Sequence, residues 1–151
     1  MVFDTQYDPT TFDTVSFTPV VSSLQDTDIS FSPSLIAGST ISYMPIKRLK
    51  LSLISKYVGE QFLDNTESDD KKIDSYFVSN FNASLVVKPD WIKEVRFDLL
   101  VNNIFDELYE SNGYTFSYYY RPEGSNDPAV TENFYYPQAG TNFLLGMTLN
   151  F

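Results

Sequence analysis

The feature that most constrains this chain is an alternation of apolar and polar residues with a period of two. It is clearest in the stretch "NFLLGMTLNF" at residues 142–151, where every odd position carries a large apolar side chain. Because successive side chains of an extended strand point to opposite faces, the stretch predicts a strand with one apolar and one mostly polar face. The pattern alone leaves open whether the apolar face contacts a protein core or lipid.

The same alternation occurs in four earlier stretches, at residues 28–45, 48–62, 74–88 and 94–103. Short turns at residues 44–48 and 88–94 separate two pairs of these stretches, and long loops are expected near residues 60–73 and 110–138. Strands joined alternately by short and long connections predict an all-β antiparallel meander of five strands, with one plain rim and one elaborated rim.

The composition argues against several classes of function. A formal net charge of −10 argues against a nucleic-acid partner. Cysteine and histidine are both absent, which removes thiolate metal sites and the commonest general base and metal ligand. We therefore predict no enzyme, no catalytic residue, no metal site and no cofactor. The carboxylates of the 60–73 loop favour a solvated loop over a calcium site, because they lack the ordered D-x-D-x-D-G spacing; they are Asp64, Glu67, Asp69 and Asp70.

Two features favour lipid over a protein core as the partner of the apolar faces. The polar faces are rich in Ser, Asn, Thr and Gly, as suits a wet barrel lumen. Aromatic residues gather near both ends of the strands, as in membrane-interface girdles: Tyr43, Trp91, Phe97 and Phe151 at one rim, and Phe31, Tyr57, Phe62, Phe77 and Phe143 at the other. The alternatives are a soluble β-sandwich binding module and a small self-standing outer-membrane β-barrel or adhesin.

Two motifs carry a family resemblance. A V-x-N-[IL]-F-[DN]-x-x-Y pattern is matched by Val101, Asn103, Ile104, Phe105, Asp106 and Tyr109. A Y-Y-P-x-x-G-[RT] pattern is matched by Tyr135, Tyr136, Pro137, Gly140 and Thr141. In this order, near the end of the chain, they resemble the C-terminal end of TonB-dependent outer-membrane receptors, especially the group with carboxypeptidase-regulatory-like N-terminal extensions.

The resemblance implies a fold, a location and a set of partners. Residues 28–151 would be the last five strands of a plugged twenty-two-stranded membrane barrel, and residues 1–27 an extracellular loop or strand remnant. Such receptors lie in the outer membrane of Gram-negative bacteria and import a bulky nutrient, such as a ferric chelate or a glycan. The implied partners are outer-membrane lipid, the rest of the barrel, its plug, TonB acting through that plug, and the barrel-assembly machinery. Five strands cannot close a barrel, so we expect a fragment that is not active alone.

The resemblance also implies an insertion signal in the last strand. In such barrels this signal is a glycine followed by spaced hydrophobic residues and a terminal aromatic, matched here by Gly146, Leu149 and Phe151. Leu144 departs from it, since a polar residue is usual two positions before the glycine. The signal is physically an unpaired edge strand that an assembly machine can pair.

The long loop at residues 110–138 contains the candidate ligand contacts. Aromatic rings and a guanidinium suit sugars, aromatic chelates, peptides or anionic groups, so we predict ligand contact by Tyr118, Tyr119, Tyr120 and Arg121. The alternative is that such aromatics continue the strands above the membrane, which we favour for Tyr135 and Tyr136. The cations of the short turns are interpreted as solvated or close to lipid head groups: Lys47, Arg48, Lys50, Lys88 and Lys93.

Overall fold

The computed structural model describes residues 2–7, 14–20, 26–118 and 130–151, and every regular element in these ranges is a β-strand. The eleven strands are β1 (Val2–Tyr7), β2 (Thr14–Val20), β3 (Ile36–Ile46), β4 (Leu49–Val58), β5 (Gln61–Phe62), β6 (Lys72–Ile73), β7 (Tyr76–Val87), β8 (Glu94–Asn102), β9 (Glu110–Tyr118), β10 (Val130–Pro137) and β11 (Asn142–Asn150). All pairings are antiparallel, which confirms the prediction of an all-β antiparallel fold. In these ranges no helix is long and apolar enough to cross a membrane.

The largest sheet contains five strands in the order β11-β8-β7-β4-β3. These are the five stretches in which the sequence alternates, and their sheet order follows the chain, as a meander requires. The outer edges of β3 and β11 have no partner strand within the described residues. The remaining strands pair as β1 with β2, β5 with β6, and β9 with β10.

The register aligns the apolar positions of all five strands in rows across the sheet. One row runs through Ile41, Leu53, Phe81, Val101 and Phe143, each the direct partner of the next. Directly opposed residues of antiparallel strands share a face, so the odd-numbered side chains form one apolar surface. A row on the other face is largely polar, through Ser42, Ser52, Asn82, Leu100 and Leu144.

The apolar surface of the sheet is exposed. Ile41 is 65% exposed on one edge strand, and Phe143 and Leu145 are 74% and 73% exposed on the other. No second sheet packs on this surface in the described ranges. Two sheets packed face to face, which a soluble β-sandwich requires, are therefore not seen among these strands.

The buried apolar residues lie instead at the two ends of the sheet. At the end with long connections, the residues less than 9% exposed lie in the β5–β6 hairpin or at the strand ends next to it: Val58, Leu63, Ile73 and Tyr76. At the opposite end, Ile92 of the turn between β7 and β8 and Val95 of β8 are buried. The 60–73 segment, expected as a loop, thus contains the short β5–β6 hairpin.

The segment at residues 110–138 also differs from the long connection that the sequence suggested. Its two ends form β9 and β10, which pair with each other from Pro137 opposite Glu110 to Val130 opposite Tyr118. The β8–β11 pairing ends, on the side nearer β9 and β10, with Asn142 of β11 opposite Asn102 of β8. Strands β8 to β11 therefore form one long hairpin, interrupted where residues 103–109 oppose residues 138–141. Similarly, residues 1–27, expected as a loop or strand remnant, contain the paired strands β1 and β2.

Candidate functional site

The candidate site is an aromatic ladder on one face of the β9–β10 hairpin. Tyr114, Phe116 and Tyr118 alternate along β9, and Phe134 of β10 is the direct partner of Tyr114. The Tyr114 and Phe134 rings stack with centroids 4.9 Å apart, and Phe116 and Phe134 stack at 5.9 Å. Tyr136 completes the ladder, with its ring centroid 6.2 Å from that of Tyr114. These separations lie within the range in which aromatic pairs attract each other beyond simple burial.

The ladder is open to solvent. Its five rings are between 41% and 51% exposed, so their faces and phenol hydroxyls are accessible. The Tyr118 hydroxyl donates a hydrogen bond to Glu132 Oε1 at 3.1 Å, and this bond and the negative charge of Glu132 raise the pKa of Tyr118. A tyrosine is protonated at neutral pH without any shift, and the bond to Glu132 favours this form further, so the phenol oxygen remains available to accept a hydrogen bond from a ligand. Such a surface can stack a planar or ring-shaped ligand while its hydroxyls form hydrogen bonds.

The structure places only one of the four predicted ligand residues. Tyr118 belongs to the ladder, whereas Tyr119, Tyr120 and Arg121 lie outside the described residues. Sequence reasoning did not select the other four rings of the ladder as the site: Tyr114, Phe116, Phe134 and Tyr136. The alternation in "YTFSY" at residues 114–118 was the signal that could have found the β9 rings.

The opposite face of the β9–β10 hairpin packs against the β5–β6 hairpin. A Cβ added at Gly113 would lie 2.7 Å from the Phe134 carbonyl oxygen and 3.0 Å from Leu63 Cδ2, so glycine permits this close approach. Next to this contact is a groove of about 500 Å³, lined by Phe31, Gln61, Leu63, Ser111, Asn112, Gly113, Tyr114 and Thr115. Its lining is uncharged. The Asn133 side chain ties the two hairpins by donating to the Asp70 carbonyl oxygen.

The two family-like motifs meet at the interruption of the long hairpin. Asn103 is 3% exposed and has a positive φ of 50°; its side chain donates to the carbonyl oxygens of Glu107 at 2.9 Å and Ala139 at 3.3 Å. Its Oδ1 accepts from the Glu107 amide at 2.9 Å. Asp106 Oδ1 accepts from the Thr141 amide at 2.8 Å, and a Cβ on Gly140 would lie 2.5 Å from that oxygen. The motif residues thus hold the junction between the sheet and the β9–β10 hairpin.

The charged loop before β6 is organised around Asp64. Its Oδ2 lies 3.0 Å from Lys71 Nζ, and its Oδ1 accepts from the Thr66 amide at 2.9 Å. Burial acts to raise the pKa of Asp64, but the hydrogen bonds from Thr66 and Lys71 outweigh it, so the pKa of this carboxyl is lowered. Among the residues with described side chains, no group of three or more carboxylates is arranged to hold a metal ion.

The predicted insertion-signal residues lie on or just after the edge strand β11. Gly146 is the partner of Asp98, and Leu149 is the partner of Val95. Phe151 follows the strand and is 89% exposed. The other edge of β11 is unpaired in the described part of the chain, so it presents free backbone donors and acceptors to a further strand.

A scan of the chain against protein-family models found no match, and searches of curated proteins and of solved structures found no significant match.

Proposed function

We propose that this chain forms part of the barrel wall of a TonB-dependent outer-membrane receptor that imports a bulky nutrient. In this role the five-stranded sheet lies in the membrane, the apolar face contacts acyl chains, and the polar face lines the lumen. Strands β9 and β10 extend the wall beyond the membrane, so the aromatic ladder lies on the extracellular side of the membrane. Two features support this role: the two sequence motifs, and the difference between the apolar and the polar face of the sheet.

The observation that carries the proposal is the exposed apolar face. From Ala37 to Tyr43 in β3, and throughout β4, β7, β8 and β11, no odd-numbered residue is charged. The even positions, by contrast, include Lys50, Lys56, Arg96 and Asp98. A charge on the lipid face of such a barrel costs about 2–4 kcal/mol at the bilayer midplane, whereas a lumen-facing charge is tolerated. The charge distribution is the one that a lipid-facing wall requires.

The unpaired strand edges support the same role. An open sheet edge within the hydrocarbon region leaves backbone groups without hydrogen bonds, so membrane sheets must close. Strands β3 and β11 have free outer edges within the described residues. In the proposed receptor, further strands pair with both edges and complete the barrel.

The neighbouring leucines Leu99 and Leu100 allow a direct test of the wall. They are adjacent in β8, have the same chemistry and lie on opposite faces of the sheet. The chain has no cysteine, so Leu99→Cys and Leu100→Cys each introduce one unique labelling site. Each variant chain is assembled with cysteine-free strands that pair its two free edges and complete the barrel. The barrel is reconstituted in phospholipid vesicles, and a nitroxide on each cysteine is probed with oxygen and with a water-soluble nickel chelate.

A lipid-facing wall predicts opposite responses at the two sites. The label at position 99 should collide mainly with oxygen, which partitions into lipid, and the label at position 100 mainly with the nickel chelate. The pair Leu145→Cys and Leu144→Cys in β11 should repeat this difference. Equal access of the nickel chelate to both members of each pair would refute a lipid-facing wall. Two equally immobile, inaccessible labels would instead indicate a closed protein core.

A further inference from the structure

A second groove lies at the rim of the sheet with short turns, away from the aromatic ladder. It has a volume of about 380 Å³ and is lined by Lys88, Lys93, Glu94, Leu149, Asn150 and Phe151. The turn between β7 and β8 supplies its cations, and the end of β11 supplies most of its apolar surface. The register brings these parts together, because Glu94 is opposite Asn150 and Val95 is opposite Leu149.

The turn that forms this groove is anchored by two buried side chains. Ile92 and Val95 are each 6% exposed, and the Ile92 amide donates to the Pro89 carbonyl oxygen at 3.4 Å. Ile92 is buried, whereas its neighbour Trp91 is 79% exposed. A large amphipathic ring at this depth of a membrane wall is typical of the interface between head groups and acyl chains.

The charged side chains that line the groove are two lysines and one glutamate. Lys88 Nζ lies 3.8 Å from Glu94 Oε2, which partly neutralises both groups. Lys93 makes no ion pair within the described residues. Asp90 of the same turn is exposed and is not among the residues that line the groove. An anionic group is therefore the electrostatically favoured occupant.

The other side of the groove is apolar and continues into the exposed face of the sheet. Leu149 is 42% exposed and Phe151 is 89% exposed. Leu149 belongs to a row with the buried Val95 and with Val87, which is 37% exposed, all at odd positions. A ligand that satisfies both sides must have an anionic head beside an aliphatic tail.

We propose that this groove binds an anionic phospholipid, with the lipid phosphate at Lys88 and Lys93 and an acyl chain along Leu149 and Phe151. The inference rests on the proposed membrane wall and adds a specific lipid site to it. The attraction between one lysine and an anionic membrane surface is about 1 kcal/mol, which corresponds to about a fivefold enrichment of anionic lipid. Since Glu94 offsets one of the two lysines, we expect about this fivefold enrichment of anionic lipid around the groove.

The single tryptophan of the chain, Trp91, reports on this site directly. The chain is assembled with tryptophan-free strands that pair its two free edges and complete the barrel. The barrel is reconstituted in phosphatidylcholine vesicles that contain the same small fraction of either brominated phosphatidylglycerol or brominated phosphatidylcholine. Bromine quenches tryptophan on contact, so the ratio of the two quenching efficiencies gives the enrichment of anionic lipid. We expect a ratio of about five, the factor given by one uncompensated lysine.

Three variants separate this site from general attraction to charge. Replacing both lysines (Lys88→Gln with Lys93→Gln) should reduce the ratio to about one, while Lys88→Arg with Lys93→Arg should preserve it, because the charge is kept. Lys71→Gln with Lys72→Gln removes two cations at the opposite rim and should leave the ratio unchanged. Quenching by brominated phosphatidylcholine should be the same in every variant, which verifies that each still inserts.

The outcomes separate the lipid site from the membrane wall itself. Equal quenching by the two brominated lipids in the unsubstituted chain would overturn the lipid site and leave the wall intact. No quenching by either lipid would place Trp91 outside the bilayer and overturn the proposed function as well. Loss of the preference on adding inorganic phosphate, but not sodium chloride of equal ionic strength, would identify a site for free phosphate and refute the lipid assignment.

Discussion

Asn103 is the side chain whose removal should most loosen the connection between the sheet and the β9–β10 hairpin. It is 3% exposed, and its amide group makes three hydrogen bonds, two with Glu107 and one with the Ala139 carbonyl oxygen. Its φ of 50° lies in the left-handed region, which asparagine tolerates better than alanine. We predict that Asn103→Ala opens this junction without unfolding the five-stranded sheet.

The expected loss of stability follows from these contacts. Three hydrogen bonds at about 1 kcal/mol each, with about 1 kcal/mol for alanine at a positive φ, give roughly 4 kcal/mol. Water that enters the vacated site recovers about 1 kcal/mol by binding the freed backbone groups. The net loss of about 3 kcal/mol corresponds to roughly a hundredfold increase in the opening equilibrium.

Hydrogen exchange of the Gln138 amide measures this opening. That amide donates to the Tyr109 carbonyl oxygen at 2.9 Å and makes no bond with Asn103, so it reports closure of the junction rather than loss of the substituted group. In detergent-solubilised protein its exchange should accelerate about a hundredfold in Asn103→Ala. The adjacent Asn102→Ala is the matched control, because the Asn102 side chain makes one hydrogen bond, to Asn142. On the same scale of about 1 kcal/mol for a hydrogen bond, that control should change the rate by at most about fivefold.

One result would refute this reasoning. If exchange of the Glu107 amide alone accelerates in Asn103→Ala, while the Gln138 amide keeps its protection, the side chain satisfies a local turn and does not hold the junction. The interlock between the two motifs would then depend on Asp106 and Thr141 instead.

Two further predictions concern the β9–β10 hairpin. Gly113→Ala places a methyl group 2.7 Å from a carbonyl oxygen of the paired strand, so we expect the free energy of unfolding to fall by about 1–3 kcal/mol. Proteolysis of the packed 60–73 segment should be faster, and unchanged cleavage would show that the hairpins do not pack closely. Glu132→Gln removes the charge that raises the pKa of Tyr118, so the phenol should ionise at lower pH, which ultraviolet titration against Tyr118→Phe measures. Because the pKa of Tyr118 is raised in the folded chain, the stability from this hydrogen bond is present below pH 10 and is lost as pH rises through the folded pKa. If Glu132→Gln leaves the titration of Tyr118 unaltered, the contact with Glu132 is excluded.

The five sheet strands were predictable because alternation is a local property. A strand with one face in an apolar medium and one in a polar medium must repeat with a period of two, and the sequence does so in all five stretches. Alternation also excludes a slip of one residue, which would exchange the two faces, but it does not exclude a slip of two. Strands β9 and β10 were hidden inside a segment that was expected to be a loop. One face of the pair carries Glu132 among its aromatic residues, and the other face carries Tyr135 among small polar ones, so the contrast between the faces is weaker.

The candidate site was only partly predictable from sequence. A cluster of aromatic residues was evident, but the choice of Tyr118, Tyr119, Tyr120 and Arg121 followed adjacency in the chain. The described ladder instead follows alternate positions on β9 and cross-strand pairing with Phe134. Cross-strand neighbours depend on the register of two strands, and the register of this hairpin is fixed by contacts that no single stretch displays.

The sequence by itself determined which side chains share a face, because the geometry of an extended backbone assigns alternate residues to opposite sides. Tertiary structure alone decided which groups distant along the chain meet. The tertiary structure places Asn103 and Asp106 within hydrogen-bonding distance of residues 139–141. It also packs Leu63 against Gly113 and places the Lys88–Lys93 turn beside the end of β11. These contacts depend on how whole strands align and how hairpins pack, and that alignment is a collective property of the sheet.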